Sequence, residues 1–121
     1  GNLAQSTGTS AMALGAGASS TDFFAIAVGS NAQASGLGAA SLGVSSNAAG
    51  EFATALGGGA QGGGDASVAL GFVAQANATG GIAIGGDGDD VDDPMDSSVQ
   101  IGASADLIGA SASGRDRLAG A

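Results

Sequence analysis

The chain contains no cysteine, histidine, lysine, tryptophan or tyrosine, one proline and four phenylalanines among 121 residues. Each absence removes a class of function. Without His, Cys or Lys, the common nucleophile–base pairs cannot be assembled. Ser and Thr are plentiful, but no base accompanies them, so the chain reads as a non-enzyme that needs no cofactor. Without Cys there is no disulfide framework. The only cations are Arg115 and Arg117, against eleven acidic residues and a net charge of −9. A nucleic acid backbone requires the opposite sign. An anionic membrane surface is disfavoured for the same reason. No apolar run is long enough to span a bilayer, and no signal peptide is present, so this segment is not expected to insert in a membrane.

What the chain has in abundance is small residues. Glycine alone supplies 25 positions. Chains rich in Gly and Ser often stay disordered, because they bury too little to offset backbone entropy. A regular period argues against that here. Aliphatic–glycine pairs occur at Leu14-Gly15, Val28-Gly29, Leu42-Gly43, Leu56-Gly57, Leu70-Gly71 and Ile84-Gly85, each 14 residues after the last. A globular core needs no such strict interval. A coil stacking on copies of itself does, since every turn must present the same residue at the same height.

Columns emerge when each repeat is aligned on its glycine. One residue before it stands a large aliphatic; two before stands Ala or Ser; three before stand Met12, Ile26, Ala40, Thr54, Val68 and Ile82. This alternation predicts a short strand with aliphatics on one face and a small residue on the other. Three and five residues after the glycine come small residues again, such as Ala32 and Ala34, predicting a second, closely packed strand. Gly36, Gly50 and Gly64 then mark a second corner. The reference glycines are expected at a corner of positive φ. The runs Gly57-Gly58-Gly59 and Gly62-Gly63-Gly64 read as coil structure and not as a phosphate cradle, since no Lys or helix follows. Thr7, Thr9, Thr21, Thr54 and Thr79 are not expected to form the ladder that an ice-binding solenoid would need.

The phase breaks after Gly85. The next pair, Ile101-Gly102, comes 17 residues after Ile84-Gly85. This predicts a coil enlarged by three residues, with the strand resuming over 98–102. The organisation expected is therefore a repeat region at 1–102 with an acidic insertion at 86–97, then a tail at 103–121. The insertion carries six of the eleven acidic residues and must be exposed, since such charge cannot be buried unpaired. Residue 1 adjoins the first repeat, so the segment reads as a piece of a longer protein.

Segments such as Ala25-Ile26-Ala27-Val28-Gly29-Ser30-Asn31-Ala32, Ser67-Val68-Ala69-Leu70-Gly71 and Gly81-Ile82-Ala83-Ile84-Gly85 resemble the YadA-like head repeat of trimeric autotransporter adhesins. The resemblance spans about residues 9–102. It implies an all-β, left-handed parallel β-roll of 14-residue coils, assembled as a homotrimer. It further implies a bacterial cell-surface virulence factor, exposed from the outer membrane, that attaches to host extracellular matrix, host cells or other surfaces. In that family a basic neck follows the head, and Gly114 to Ala121, with Arg115 and Arg117, is a candidate for its start. The structural residues would be Leu14, Val28, Leu42, Leu56, Leu70, Ile84 and Ile101, with Gly15, Gly29, Gly43, Gly57, Gly71, Gly85 and Gly102.

An alternative is a Ca²⁺-stabilised secreted β-roll without an adhesive role. Gly85-Gly86-Asp87-Gly88-Asp89-Asp90 fits the opening of a Ca²⁺-binding nonapeptide, but Asp92 stands where an aliphatic belongs. The looser cluster Asp89, Asp90, Asp92 and Asp93 supplies the candidate ligands, since hard cations favour grouped carboxylates.

Overall fold

The computed structural model describes residues 2–85 and a strand at 99–101. The first twelve strands alternate between two sheets. In chain order they are β1 (Gln5–Ser6), β2 (Met12–Leu14), β3 (Ser19–Ser20), β4 (Ile26–Val28), β5 (Gln33–Ala34), β6 (Ala40–Leu42), β7 (Asn47–Ala48), β8 (Thr54–Leu56), β9 (Gln61–Gly62), β10 (Val68–Leu70), β11 (Gln75–Ala76) and β12 (Ile82–Ile84). The two-residue strands form a narrow sheet in the order β1-β3-β5-β7-β9-β11. The three-residue strands form a wide sheet. Within β1–β12 every pairing is parallel and shifts by 14 residues, as in Leu42↔Leu56 and Asn47↔Gln61. The chain is thus a parallel β-solenoid of about six coils. At about 4.8 Å per coil the rod is about 29 Å long.

The core is a thin layer of methyl groups between the two sheets. Among the described residues its buried apolar side chains are all alanines, such as Ala27, Ala34, Ala48, Ala55, Ala69 and Ala83, with Ser20, Ser41, Ser46 and Ser67 beside them. A side chain larger than Ser would push the sheets apart. Burying a methyl stabilises by about 0.8 kcal/mol, well below the about 1.5–3 kcal/mol of a buried Leu or Phe. Hydroxyls inside such a layer need partners. Ser46 Oγ donates to the carbonyl of Gly43 at 2.9 Å, and Ser41 Oγ lies 2.7 Å from Ser46 Oγ. Ser46 has one proton and gives it to Gly43, so Ser41 is the donor in the second bond. Ser67 Oγ is buried without a partner.

Each coil consists of two similar halves of seven residues. In both, a turn is closed by a bond across three residues, for example Ala32 N–H to Gly29 C=O at 3.1 Å and Ala39 N–H to Gly36 C=O at 3.0 Å. The third turn residue is left-handed, which is the type II pattern. Asn31, Ser45 and Val73 hold that place at the first corner, and Phe24, Phe52 and Ala66 at the second, with φ of 56–63°. An L-residue there costs about 1–2 kcal/mol. The compensation is a bond between coils. Phe52 N–H reaches Leu37 C=O at 2.7 Å, and Val73 N–H reaches Gly58 C=O at 2.8 Å.

The glycines at the two corners serve different needs. Gly15, Gly29, Gly43, Gly57, Gly71 and Gly85 open the first corner with φ of 127–141°, a region that suits glycine alone. Gly36, Gly50 and Gly64 open the second corner without positive φ. They are favoured by contact, since a Cβ there would press on the carbonyl oxygen of Gly50, Gly64 or Ala78 in the next coil, and only Asp22 and Ala78 bring one to that column after Gly8.

The C-terminal strand departs from expectation. β13 (Val99–Ile101) pairs with β12 in the antiparallel sense, with Ile82↔Ile101, Ala83↔Gln100 and Ile84↔Val99. The segment therefore does not continue as an enlarged coil. β13 lies along β12 and is the outermost strand at that end of the wide sheet.

Candidate functional site

The solenoid offers two broad faces and two corners. Among the described residues no group of three or more His, Cys, Asp or Glu side chains is placed to hold a metal. Nor, among the described residues, is any helix long and apolar enough to cross a membrane. The Ca²⁺ candidates Asp89, Asp90, Asp92 and Asp93 lie outside the described residues, as do Gly102, Arg115, Arg117 and the tail at 103–121.

The outer face of the wide sheet is apolar and open. Because the small residue of each three-residue strand points inward, its two neighbours must point out. Leu14, Leu56, Leu70 and Ile84 are 56, 39, 37 and 41% exposed, and Met12 and Ile26 are also exposed. Val28, Leu42, Val68 and Ile82 lie in the same two columns, half-buried. In-register pairing stacks identical positions, so Leu14, Val28, Leu42, Leu56, Leu70 and Ile84 form one continuous ridge. Beside it runs a second column that is aliphatic at both ends and holds Ala40 and Thr54 between them. A single chain leaves both in water. Contiguous apolar surface of this kind marks an interaction site.

The outer face of the narrow sheet has the opposite chemistry. One column reads Gln5, Ser19, Gln33, Asn47, Gln61 and Gln75. Two residues further on, a second column reads Thr7, Thr21, Ser35, Ala49, Gly63 and Asn77. Thr7 and Thr21 therefore do stack, contrary to the reading of the threonines as unaligned. The column continues as Ser35 and ends at Ala49. These columns carry no charge. Each amide offers donors and an acceptor, so the face is a regular neutral array of hydrogen-bonding groups.

The corners carry features that the repeat pattern did not signal. The second corner displays Phe23, Phe24 and Phe52, 53, 60 and 62% exposed. The rings of Phe23 and Phe24 meet edge-on with centroids 6.4 Å apart. The first corner displays Val44 and Phe72, 60 and 67% exposed. The carboxylates of the described coils all lie at the second corner, on Asp22, Glu51 and Asp65. Asp65 Oδ1 accepts from the Glu51 N–H at 3.0 Å, and Asp22 Oδ1 accepts from the Phe23 N–H at 2.7 Å, so two of these side chains brace the corner itself. A left-handed φ at Phe24 or Phe52 has no marker in sequence, since Gly or Asn normally signals that turn position.

Comparison with known proteins agrees with this architecture. The family model described as "YadA head domain repeat (2 copies)" matches residues 6–32, 23–43, 34–60 and 63–87. No curated protein matches the chain, and no solved structure does.

Proposed function

The chain belongs to the YadA head-repeat family, and from that premise we propose that it is the adhesive head of a trimeric bacterial surface protein. Three copies bring their wide-sheet faces together around one axis parallel to the rods. The aliphatic ridge and the column beside it become the common core, supplying the apolar burial that an alanine layer cannot. The narrow sheets then face outward, and their amide and hydroxyl columns meet the ligand. Host matrix proteins, host cells and other surfaces are the partner classes, and no catalytic step is involved. The roll is left-handed, the segment at 103–121 begins the passage to a stalk, and the whole is displayed at the cell surface as part of a longer protein.

The observation that carries this reading is the periodic exposure of Leu14, Leu56, Leu70 and Ile84 on a chain whose buried side chains, among the described residues, are those of Ala and Ser alone. Adhesion is tested with beads carrying the chain, applied to wells coated with matrix proteins or with host cells. Retention above that of beads carrying an unrelated acidic protein is expected. It should fall when Gln33, Gln61 and Gln75 are replaced together by Glu. Retention equal to the control on every coating would overturn the adhesive reading.

A further inference from the structure

We infer that the three-chain assembly is locked at its edges by a heterologous contact, in which the second corner of one chain packs on the first corner of the next. This rests on the trimeric reading above and names the residues that close it. In every coil the chain runs from the second corner through a wide-sheet strand to the first corner, as in Gly50–Ala53, Thr54–Leu56 and Gly57–Ala60. The two corners are therefore the two long edges of the aliphatic face. Three such faces turned toward one axis form a triangular prism. At each edge of that prism, one chain's second corner meets its neighbour's first.

Charge selects this pairing. The second corner carries Asp22, Glu51 and Asp65, while the first corner carries no charge from Gly15 to Ala74. Two second corners brought together would oppose carboxylates. A second corner against a first corner opposes none. A head-to-tail contact of this kind closes into a ring, whereas like-on-like contact gives a two-fold dimer.

The apolar groups also match in height. Seven residues, half a coil, separate corresponding positions of the two corners, so Phe52 lies at a level between Ser45 and Gly59, with Val44 next to Ser45. Its ring leans over Gly38, where a Cβ would come within 2.8 Å of Phe52 Cδ1 and Cε1. That tilt lowers the ring toward the level of Val44. Phe72 leans the same way over Gly58. Phe52 and Leu37 of one chain thus face Val44 of the next, while Phe72 stands higher, at the level between Asp65 and Thr79. The backbone adds a second reason. Gly38 and Gly80 hold the left-handed position of the second corner with φ of 64° and 69°, yet Phe24 and Phe52 hold it in other coils at 60° and 56°. Strain accepted at an exposed aromatic, where glycine serves equally well, points to a role for the side chain.

Cysteine cross-linking tests this on the whole chain, which has no cysteine of its own. The double variant Val44→Cys with Phe52→Cys is oxidised with oxidised glutathione. Within one chain the two sites lie on opposite edges, roughly 13 Å or more apart across four or more extended residues. A disulfide needs Cα atoms within about 7 Å, so any bond joins different chains. The expected product on a non-reducing gel is a covalent species of three chains. The control Val44→Cys with Gln61→Cys should stay at the mass of one chain. Phe52→Gly removes the ring and relieves the backbone, so folding is preserved. It should raise the concentration at which the assembly dissociates at least tenfold. A trimer by light scattering that neither cross-links nor weakens with Phe52→Gly would sink the corner contact and leave the trimer standing. A folded monomer would sink both.

Discussion

Adjacent glycines at one corner provide a controlled test of why the repeat exists. Gly57 has φ of 134°, and a Cβ added there would sit 2.5 Å from the Gly71 carbonyl oxygen and 2.7 Å from its carbon. Gly58, the next residue, has no positive φ, and its Cβ would meet nothing closer than Phe72 Cδ1 at 3.6 Å. Alanine at Gly57 therefore faces two penalties. The backbone conformation costs about 1–3 kcal/mol. Separating two hydrogen-bonded coils to admit a methyl costs about 1–3 kcal/mol more, as for overpacking elsewhere. The expected loss is about 2–6 kcal/mol, a large share of the total of about 5–15 kcal/mol typical of folded domains. Alanine at Gly58 restricts only the unfolded chain and is expected to be neutral or to stabilise by up to about 1 kcal/mol. Urea melts at one fixed protein concentration compare the two, because coupled assembly makes midpoints concentration-dependent. Gly57→Ala should lower the midpoint sharply and Gly58→Ala should leave it in place. Equal melts would refute both the φ argument and the contact argument.

The serines of the core should behave in opposite ways. Ser67→Ala removes a buried hydroxyl without a partner and should raise stability by about 1 kcal/mol or more, whereas Ser46→Ala orphans Ser41 and should lower it by about 1–3 kcal/mol. Equal changes in chemical denaturation would contradict the hydrogen-bond assignment. Val73→Gly replaces a β-branched residue at φ of 63° and should raise the thermal midpoint, while the same substitution at half-buried Val28, whose φ is not left-handed, should lower it. The coils contain no metal-holding cluster among the described residues, so EDTA should leave the melt unchanged. A rise in midpoint on adding Ca²⁺, abolished by replacing Asp89, Asp90, Asp92 and Asp93 with Asn, would instead support the Ca²⁺-stabilised roll.

Much of the coil was legible because its causes are local. The alternation around Ala27, Ala55 and Ala69 fixes which side of each strand faces inward. The 14-residue interval fixes the register once the strands are parallel. Direction is different. Val99-Gln100-Ile101 alternates as the earlier strands do, and alternation reads the same forwards and backwards. The antiparallel return of β13 therefore left no mark in the pattern. The corners were half legible. Gly57 and its equivalents announce a positive φ, but Phe24, Phe52 and Val73 adopt one because a carbonyl of the preceding coil waits for their N–H. That requirement comes from stacking and is invisible in any single repeat. The exposure of the aromatic corners was hidden for the same reason, since the four phenylalanines lie outside the aliphatic and glycine columns that mark the repeat.

The central claim is that the exposed aliphatic ridge is covered by two further copies of the chain. Light scattering coupled to size exclusion, run across a range of micromolar concentrations, measures it most directly. The account predicts a mass three times that of the 10.9 kDa chain, with unfolding and dissociation occurring in one concentration-dependent transition. A folded species of one chain mass, stable at micromolar concentration with Leu14, Leu56 and Leu70 open to solvent, would contradict it.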